Sequence, residues 1–194
     1  MMQTVTREQA LAGTLALVNP AHPLQARPAP EALVPAMPDA PGVLLARQAA
    51  VMLAALLDGI RAAGRIVPVS GWRSHAEQQA LYADSVRDNG LEFKQKYVAL
   101  PGCSEHETGL SVDLNEVSDD FKYTEAYRWL SENAEDYGFV QRYPEDKQEI
   151  TGIITEPWHY RYVGQAAAKA MNAKGLCLEE YAAGLMDGSL EMPR

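Results

Sequence analysis

The apolar and polar positions along the chain predict four short strands and several helices. Runs rich in β-branched and aromatic residues predict strands over 66–69, 110–114, 139–143 and 158–163. Periodic or continuous apolar positions, each run ending at a glycine, predict helices over 43–63, 74–89 and 124–137. Because these elements do not alternate in a regular βαβ order, the pattern predicts an α+β fold in which helices flank a small, mostly antiparallel sheet.

The two ends of the chain differ in composition from its middle. Residues 20–42 contain seven of the twelve prolines, which disfavours a regular helix or a central strand there. This proline-rich stretch is predicted to be an extended arm lying on the domain, with a flexible linker as the alternative. Residues 165–194 are rich in Ala and Leu and predict two helices that are split near Gly175. The length of 194 residues fits a single domain, 1–194.

Composition and charge exclude several classes of protein. A net charge of −9 argues against binding to nucleic acid, and it means that an anionic substrate needs a local cation. Two cysteines without a CxxC pattern exclude a four-thiolate zinc site and argue against a disulfide framework. No apolar run approaches the roughly 20 residues of a membrane span. The apolar stretch 11–18 lacks a basic segment before it, so we expect no signal peptide and a cytoplasmic protein.

A carboxylate stands in the middle of the predicted strand 110–114. This residue is Asp113, in the stretch CSEHETGLSVDL, which also holds His106. An isolated ionised carboxylate in a buried strand costs several kcal/mol, so Asp113 must be paired, protonated or bound to a metal. Taken alone, both residues are compatible with ordinary structural roles, in which Asp113 has a hydrogen-bond or arginine partner.

A second stretch, EPWHYRYVG, makes a metal site the stronger hypothesis. It contributes Glu156 and His159. Two imidazoles and one carboxylate, from His106, Asp113 and His159, are a three-ligand zinc set that leaves a fourth position open for water. Glu156 would then be the general base that takes a proton from that water and passes it to the leaving amine.

The spacing within this stretch needs an irregular backbone. Glu156 and His159 are three residues apart, so a regular strand would place them on opposite faces. Pro157 is expected to interrupt regular pairing, and a cis Glu156–Pro157 bond is one way of doing so. His106 and Asp113 are seven residues apart, so a regular strand would also place them on opposite faces. Gly109 and the loop before the strand are expected to provide the change in backbone direction that brings them together.

Other polar residues give weaker indications. Arg73 immediately precedes a helix that begins with a Ser74–Glu77 capping box. It is either a structural residue or one whose planar guanidinium binds a substrate carboxylate or carbonyl. His75 is predicted to be an exposed helix residue and His22 to be structural. Cys103 is predicted to be a buried thiol, with ligation of a metal as the alternative.

Three segments resemble the zinc D-alanyl-D-alanine peptidases: SGWRS, PGCSEHETGLSVDL and YGFVQRYPEDKQEITGIITEPWHYRYVG. The resemblance runs from about Thr14 to RYVG and is greatest to the bifunctional D,D-dipeptidase/D,D-carboxypeptidases of glycopeptide (vancomycin) resistance, the VanXY type. The patterns S-x-H-x-x-G-x-x-x-D and E-P-W-H carry it. It implies a hedgehog/D-Ala-D-Ala peptidase-like fold, in agreement with the α+β architecture predicted above.

The resemblance also implies a role for each matching residue. Three side chains would hold one Zn²⁺ per chain: His106, Asp113 and His159. Glu156 would be the catalytic base, and Arg73 would stabilise the scissile carbonyl as negative charge develops on it. Ser104 and Gln78 would help bind the substrate.

The implied activity is hydrolysis of small peptides that end in D-Ala-D-Ala. The substrates would be the free dipeptide and the C-terminal D-Ala of muramyl-pentapeptide precursors, in glycopeptide resistance or in trimming of cell-wall precursors. One alternative is a peptidoglycan endopeptidase of the same zinc group, which requires export. Others are a non-catalytic, zinc-stabilised binding module and a structural domain with buried polar pairs.

Overall fold

The computed structural model describes residues 6–62, 64–89, 98–115 and 117–192. Within these ranges, four strands form an antiparallel sheet: Pro68–Ser70 (β3), Ser111–Leu114 (β4), Phe139–Tyr143 (β5) and Glu156–Tyr162 (β6). Their order is β3–β4–β6–β5, so β4 and β6 are the central pair. The predicted α+β fold with a small antiparallel sheet is confirmed.

A separate two-stranded antiparallel hairpin precedes this sheet. It consists of Leu33–Met37 (β1) and Ala40–Ala46 (β2), and its register shifts between Pro35 and Met37. A proline is tolerated in a two-stranded ribbon where it coincides with such an irregularity, so the second half of the proline-rich stretch pairs as strands. The predicted helix 43–63 was wrong at its start, because residues 43–46 pair with β1. A short apolar run does not distinguish a strand from a helix, and pairing with β1 decides the outcome.

Helices cover much of the rest of the described chain: Arg7–Leu11 (α1), Arg47–Gly59 (α2), His75–Asn89 (α3), Glu125–Asn133 (α4), Gln148–Thr151 (α5), Gln165–Lys174 (α6) and Leu178–Asp187 (α7). The predicted capping box opens α3, since the Ser74 and Glu77 backbone N–H groups donate to each other's side chains. Gly90, the predicted end of that helix, lies outside the described residues. In the part of the chain described, no helix is both long and apolar enough to cross a bilayer.

The two faces of the central strands have different characters, because successive side chains alternate between faces. One set lies in the apolar core beside α2: Val112, Leu114, Tyr160 and Tyr162. The set between them is equally buried but polar: Ser111, Asp113, His159 and Arg161. Burying polar side chains costs free energy unless they have partners, so this second face is where a functional site is expected.

A second apolar cluster joins the two ends of the chain. Residues of α1 and the segment after it pack with the C-terminal helices α6 and α7, including Leu15, Met171, Tyr181 and Leu185. The predicted split near Gly175 is confirmed, since Gly175 caps α6 with a positive φ of 61°. The C-terminal helices therefore have their apolar faces covered by the N-terminal segment.

Candidate active site

Asp113 and His159 are cross-strand neighbours on the polar face of the sheet. They are directly opposite each other in the register of β4 with β6, and His159 Nδ1 lies 2.9 Å from Asp113 Oδ1. His106 comes from the 3₁₀ turn Glu105–Thr108, and its Nε2 lies 3.3 Å from Asp113 Oδ2. One ligand atom from each of the three residues lies within 4.8 Å of the others, and all three residues are buried. The sheet register and one turn thus build a compact donor set.

A backbone carbonyl sets the orientation of His106. Its Nδ1 lies 2.7 Å from the carbonyl oxygen of Gly71, which can only accept, so Nδ1 carries the proton and Nε2 presents its lone pair to the set. The chain at Gly71 is held against β2, because the Trp72 N–H donates to the Leu44 carbonyl at 2.6 Å. A Cβ on residue 71 would overlap that same carbonyl oxygen, so only glycine fits there.

The electrostatics of the set call for a cation. Burial would raise the pKa of Asp113, but the two imidazoles outweigh burial and hold that pKa far below its usual value. Burial would lower the pKa of His159, but its contacts with Asp113 and Glu105 raise the pKa to about 10. Without a metal, a proton supplies this positive charge. The donor set can hold a metal ion in its place, since two imidazoles and a carboxylate suit divalent metals such as zinc.

Glu156 reaches the same site because β6 is irregular. Gln141 of β5 pairs with Tyr160, and Tyr143 pairs with Glu156. Over this interval β6 therefore contains two more residues than β5. This irregularity places Glu156 Oε2 3.8 Å from His159 Nδ1. The predicted irregular backbone is confirmed, but the cis alternative was wrong, because the described residues contain no cis peptide bond. Glu156 and His159 therefore contact each other across an irregular stretch of trans backbone.

The Glu156 carboxyl is suited to proton transfer. Burial, assisted by the charges of Asp113 and Glu105, raises its pKa to about 7. A group with this pKa exchanges protons readily near neutral pH. On the other side of the set, Gly109 ends the 3₁₀ turn after His106 with a φ of 71°, which is the predicted adjustment before β4.

Arg73 and Gln78 form a connected pair at the cleft. Arg73 Nη1 donates to Gln78 Oε1 at 2.6 Å, and Nη2 donates to Ser70 Oγ at 3.2 Å. The Gln78 side chain is buried, and its Nε2 donates to the Ala99 carbonyl at 2.8 Å. Both ends of the Gln78 amide are therefore engaged, and the residue holds the Arg73 guanidinium in one orientation.

All residues predicted for the site line one cleft of about 540 Å³: Arg73, Gln78, Ser104, His106, Asp113, Glu156 and His159. The aromatic and apolar part of its wall includes Tyr143, Ile153 and Trp158. The cleft has the size and the mixed lining typical of a site for a small molecule or a short peptide end.

The residues with weaker indications lie outside the donor set. His22 bonds to Asn19, as expected of a structural residue. His75 is half-exposed, but its Nδ1 lies 3.0 Å from Glu107 Oε2, which also pairs with Arg27. Cys103 is partly buried, and burial raises its pKa. It does not belong to the group of potential metal ligands.

The sequence reasoning missed the residues behind His159. Glu105 Oε2 lies 3.5 Å from His159 Nε2, and two buried arginines, Arg142 and Arg161, contact the same carboxylate. One signal in the sequence pointed to them: each arginine occupies a position in a strand whose other residues are mostly apolar or aromatic.

Comparisons with known proteins show the family to which the chain belongs. Residues 42–165 match the VanY family, described as D-alanyl-D-alanine carboxypeptidase. The chain is 40% identical over 176 residues to the bifunctional D-Ala-D-Ala dipeptidase and D-Ala-D-Ala carboxypeptidase VanXYC of Enterococcus gallinarum, covering 87% of this chain and 93% of the relative.

Two solved structures are similar throughout most of the fold. The first is the vancomycin resistance D,D-dipeptidase VanXYg in complex with a D-Ala-D-Ala phosphinate analog (TM-score 0.80, 45% identity, 91% of this chain and 73% of that one). The second is a Glu-to-Ala mutant of the D,D-pentapeptidase VanY from a VanB-type resistance cassette in complex with Zn(II) (TM-score 0.72, 38% identity, 87% and 98%).

Proposed function

Since the chain belongs to the VanY family of D-alanyl-D-alanine carboxypeptidases, we propose that it is a bifunctional zinc peptidase. It would hydrolyse free D-Ala-D-Ala and remove the C-terminal D-Ala of muramyl-pentapeptide precursors. One observation carries the proposal: Glu156 Oε2 lies 3.8 Å from His159 Nδ1, beside a buried His–Asp–His donor set. The bifunctional activity named for the similar enterococcal protein supports the choice of substrates.

One Zn²⁺ per chain would be held by three residues: His106, Asp113 and His159. Their nitrogen and carboxylate donors match a catalytic zinc site, and the similar VanY structure contains Zn(II). When bound, zinc would act as a Lewis acid that polarises the scissile carbonyl and lowers the pKa of water to about 7. A single carboxylate among the ligands leaves the centre with a net positive charge, which this chemistry needs.

Glu156 would move the proton during hydrolysis. Its carboxylate takes a proton from the attacking water as the water oxygen forms a bond to the carbonyl carbon. The carbon–nitrogen bond then breaks, and the leaving D-Ala amine receives the proton that Glu156 carries. A pKa of about 7 suits both halves of this cycle near neutral pH.

Arg73 would supply positive charge where negative charge develops. Two of its five N–H groups are used by Gln78 and Ser70, and the remaining N–H groups can donate to the carbonyl oxygen. Gln78 would act by holding Arg73, and Ser104, buried in the cleft wall, would contribute to substrate binding.

We also propose that residues 1–194 act as one domain, because α6 and α7 share an apolar cluster with the N-terminal segment. The cytoplasmic location stays a prediction that fractionation of the native host tests. Resistance and precursor trimming are the two host roles consistent with the proposed substrates, and gene deletion followed by a glycopeptide sensitivity test separates them.

The direct test is release of D-Ala from D-Ala-D-Ala and from a peptide ending in D-Ala-D-Ala, measured in parallel with zinc content. The controls are L-Ala-L-Ala and the Glu156→Ala protein. We expect release from both D-substrates, none from the L-dipeptide, and loss in the variant with zinc retained. Release from neither D-substrate by protein that holds one zinc would refute the proposal and favour a crosslink endopeptidase or a binding module.

A further inference from the structure

A carboxylate lies directly behind the metal-ligand set and has no part in the mechanism above. Glu105 immediately precedes His106, and its side chain is 1% exposed. Its Oε2 lies 3.5 Å from His159 Nε2 and accepts a hydrogen bond from Ser111 Oγ at 3.1 Å. Glu105 is thus close to the ring atom of His159 that points away from Asp113.

His159 needs an acceptor at this position. Its Nδ1 faces Asp113 and Glu156, so Nδ1 must carry the lone pair when a metal is bound and the proton must reside on Nε2. The Nε2 atom is fully buried, and within the described chain no hydrogen bond of ordinary length satisfies it. A buried donor without an acceptor is costly, and Glu105 is the carboxylate that faces it.

Two arginines hold Glu105 in place and keep it ionised. Arg142 Nε and Arg161 Nη1 each lie 2.7 Å from Glu105 Oε1, which leaves Oε2 directed towards His159 and Ser111. Both arginine side chains are almost completely buried. The arginines therefore hold the Glu105 carboxylate through Oε1 and leave Oε2 facing His159.

The arginines are in turn anchored by the two ends of the chain. Arg142 makes a bidentate pair with Glu179 of α7, at 2.6 and 2.8 Å. Arg161 Nη2 donates to the carbonyls of Thr14 and Ala16, at 3.1 and 2.9 Å. The N-terminal segment and the C-terminal helices thus reach the metal site through this buried network.

We propose that Glu105 is a positioning residue that accepts a hydrogen bond from the His159 Nε2–H group and so directs Nδ1 to the metal. Glu105 would fix the tautomer of His159 as the Gly71 carbonyl fixes that of His106. The proton would lie on Nε2 in His159 and on Nδ1 in His106. The inference rests on the zinc site proposed above. Outer carboxylates that orient a ligating histidine typically change metal affinity about 10- to 100-fold when they are replaced.

A matched control exists on the same turn. Glu107 is equally buried (0% exposed) and pairs with Arg27 and His75, whereas the carboxylates that pair with His159 are Glu105, Asp113 and Glu156. Zinc affinity is measured by competition with a chelator for wild type, Glu105→Gln and Glu107→Gln, together with the melting temperature of each metal-free protein. We expect Glu105→Gln to weaken zinc binding about 10- to 100-fold, and Glu107→Gln to leave it within about threefold whatever its effect on melting.

A second measurement needs no variant and therefore no assumption about folding. Nitrogen-15 spectra of histidine in zinc-loaded wild type should show the proton of His159 on Nε2 and that of His106 on Nδ1. An unprotonated Nε2 in His159 overturns the inference, as does equal loss of affinity in the two glutamine variants or an unchanged affinity in Glu105→Gln. Wild type that binds no zinc overturns the proposed function as well, whereas the other outcomes leave that function intact.

Discussion

Arg73 offers the sharpest test of how this acidic protein stabilises negative charge. Its guanidinium is fixed by Gln78 Oε1 at 2.6 Å and Ser70 Oγ at 3.2 Å, so no reorientation is needed when charge develops on a substrate. Removing one such preorganised donor typically costs about 10²- to 10³-fold in kcat, or about 2.7–4 kcal/mol. We therefore expect Arg73→Ala to lower kcat by this factor while zinc content stays at the wild-type value.

The control must separate local geometry from overall charge. Arg87 lies near the exposed end of the same helix, α3, and pairs with Asp84 and Asp88. Arg87→Ala removes the same charge from a protein of net charge −9, but it does so outside the cleft. We expect its kcat and KM to match wild type at physiological salt, where exposed charges are screened within about 8 Å.

The assay is steady-state D-Ala release with kcat and KM determined separately, and with zinc measured in each sample. Arg73→Lys should recover only part of the rate, because an ammonium group keeps the charge but loses the planar fork. The reasoning fails if Arg87→Ala lowers kcat as much as Arg73→Ala does. It also fails if Arg73→Ala loses zinc in proportion to activity, because Arg73 would then support the metal site instead of the substrate.

Three further predictions concern individual residues. Glu156→Gln keeps the size of the side chain but cannot accept a proton, so kcat should fall about 10²- to 10⁴-fold with zinc content unchanged; parallel loss of zinc in metal analysis would contradict the assigned role. Gly71→Ala places a methyl group against the Leu44 carbonyl, so the free energy of unfolding should fall by about 1–3 kcal/mol. The melting temperature and the zinc affinity should both decrease. Gly42→Ala, where the added methyl group meets open space, should change neither. Leu53→Ala empties a buried position on α2 and should lower the free energy of unfolding by about 2–5 kcal/mol in denaturant titrations. Its kcat well below the melting temperature should be unchanged, since α2 packs on the apolar face of the sheet, away from the cleft.

Local sequence patterns suggested the candidate ligands because two of them are close in sequence and the third lies in a strand-like run with its own E-P-W-H pattern. His106 and Asp113 belong to one short segment, and the apolar and β-branched character of 110–114 and 158–163 predicted a strand in each. Their relative register was not predictable, because many pairings of two short apolar strands bury similar surface. The observed pairing of Asp113 with His159 is selected by polar side chains meeting across the strands.

The parts that escaped prediction depend on partners far away in the sequence. Arg142 and Glu105 are 37 residues apart, and nothing within either segment identifies the other. An arginine in a strand is usually assigned to the solvent face, whereas Arg161 is completely buried, where it pairs with Glu105 and donates hydrogen bonds to three backbone carbonyls. The start of α2 escaped for a related reason, since pairing with β1, and not local propensity, makes residues 43–46 a strand.

The irregular stretch of β6 makes the distance between base and ligand depend on chain length. Over the interval in which β5 advances from Gln141 to Tyr143, β6 carries two extra residues, and Glu156 stands at the far end of that stretch. His159 is held separately, by its pairing with Asp113 of β4. Inserting or deleting a residue at 157–158 would therefore change the position of the base while the pairing that holds two of the metal ligands stays in place. Metal binding and proton transfer thus depend on different parts of one strand.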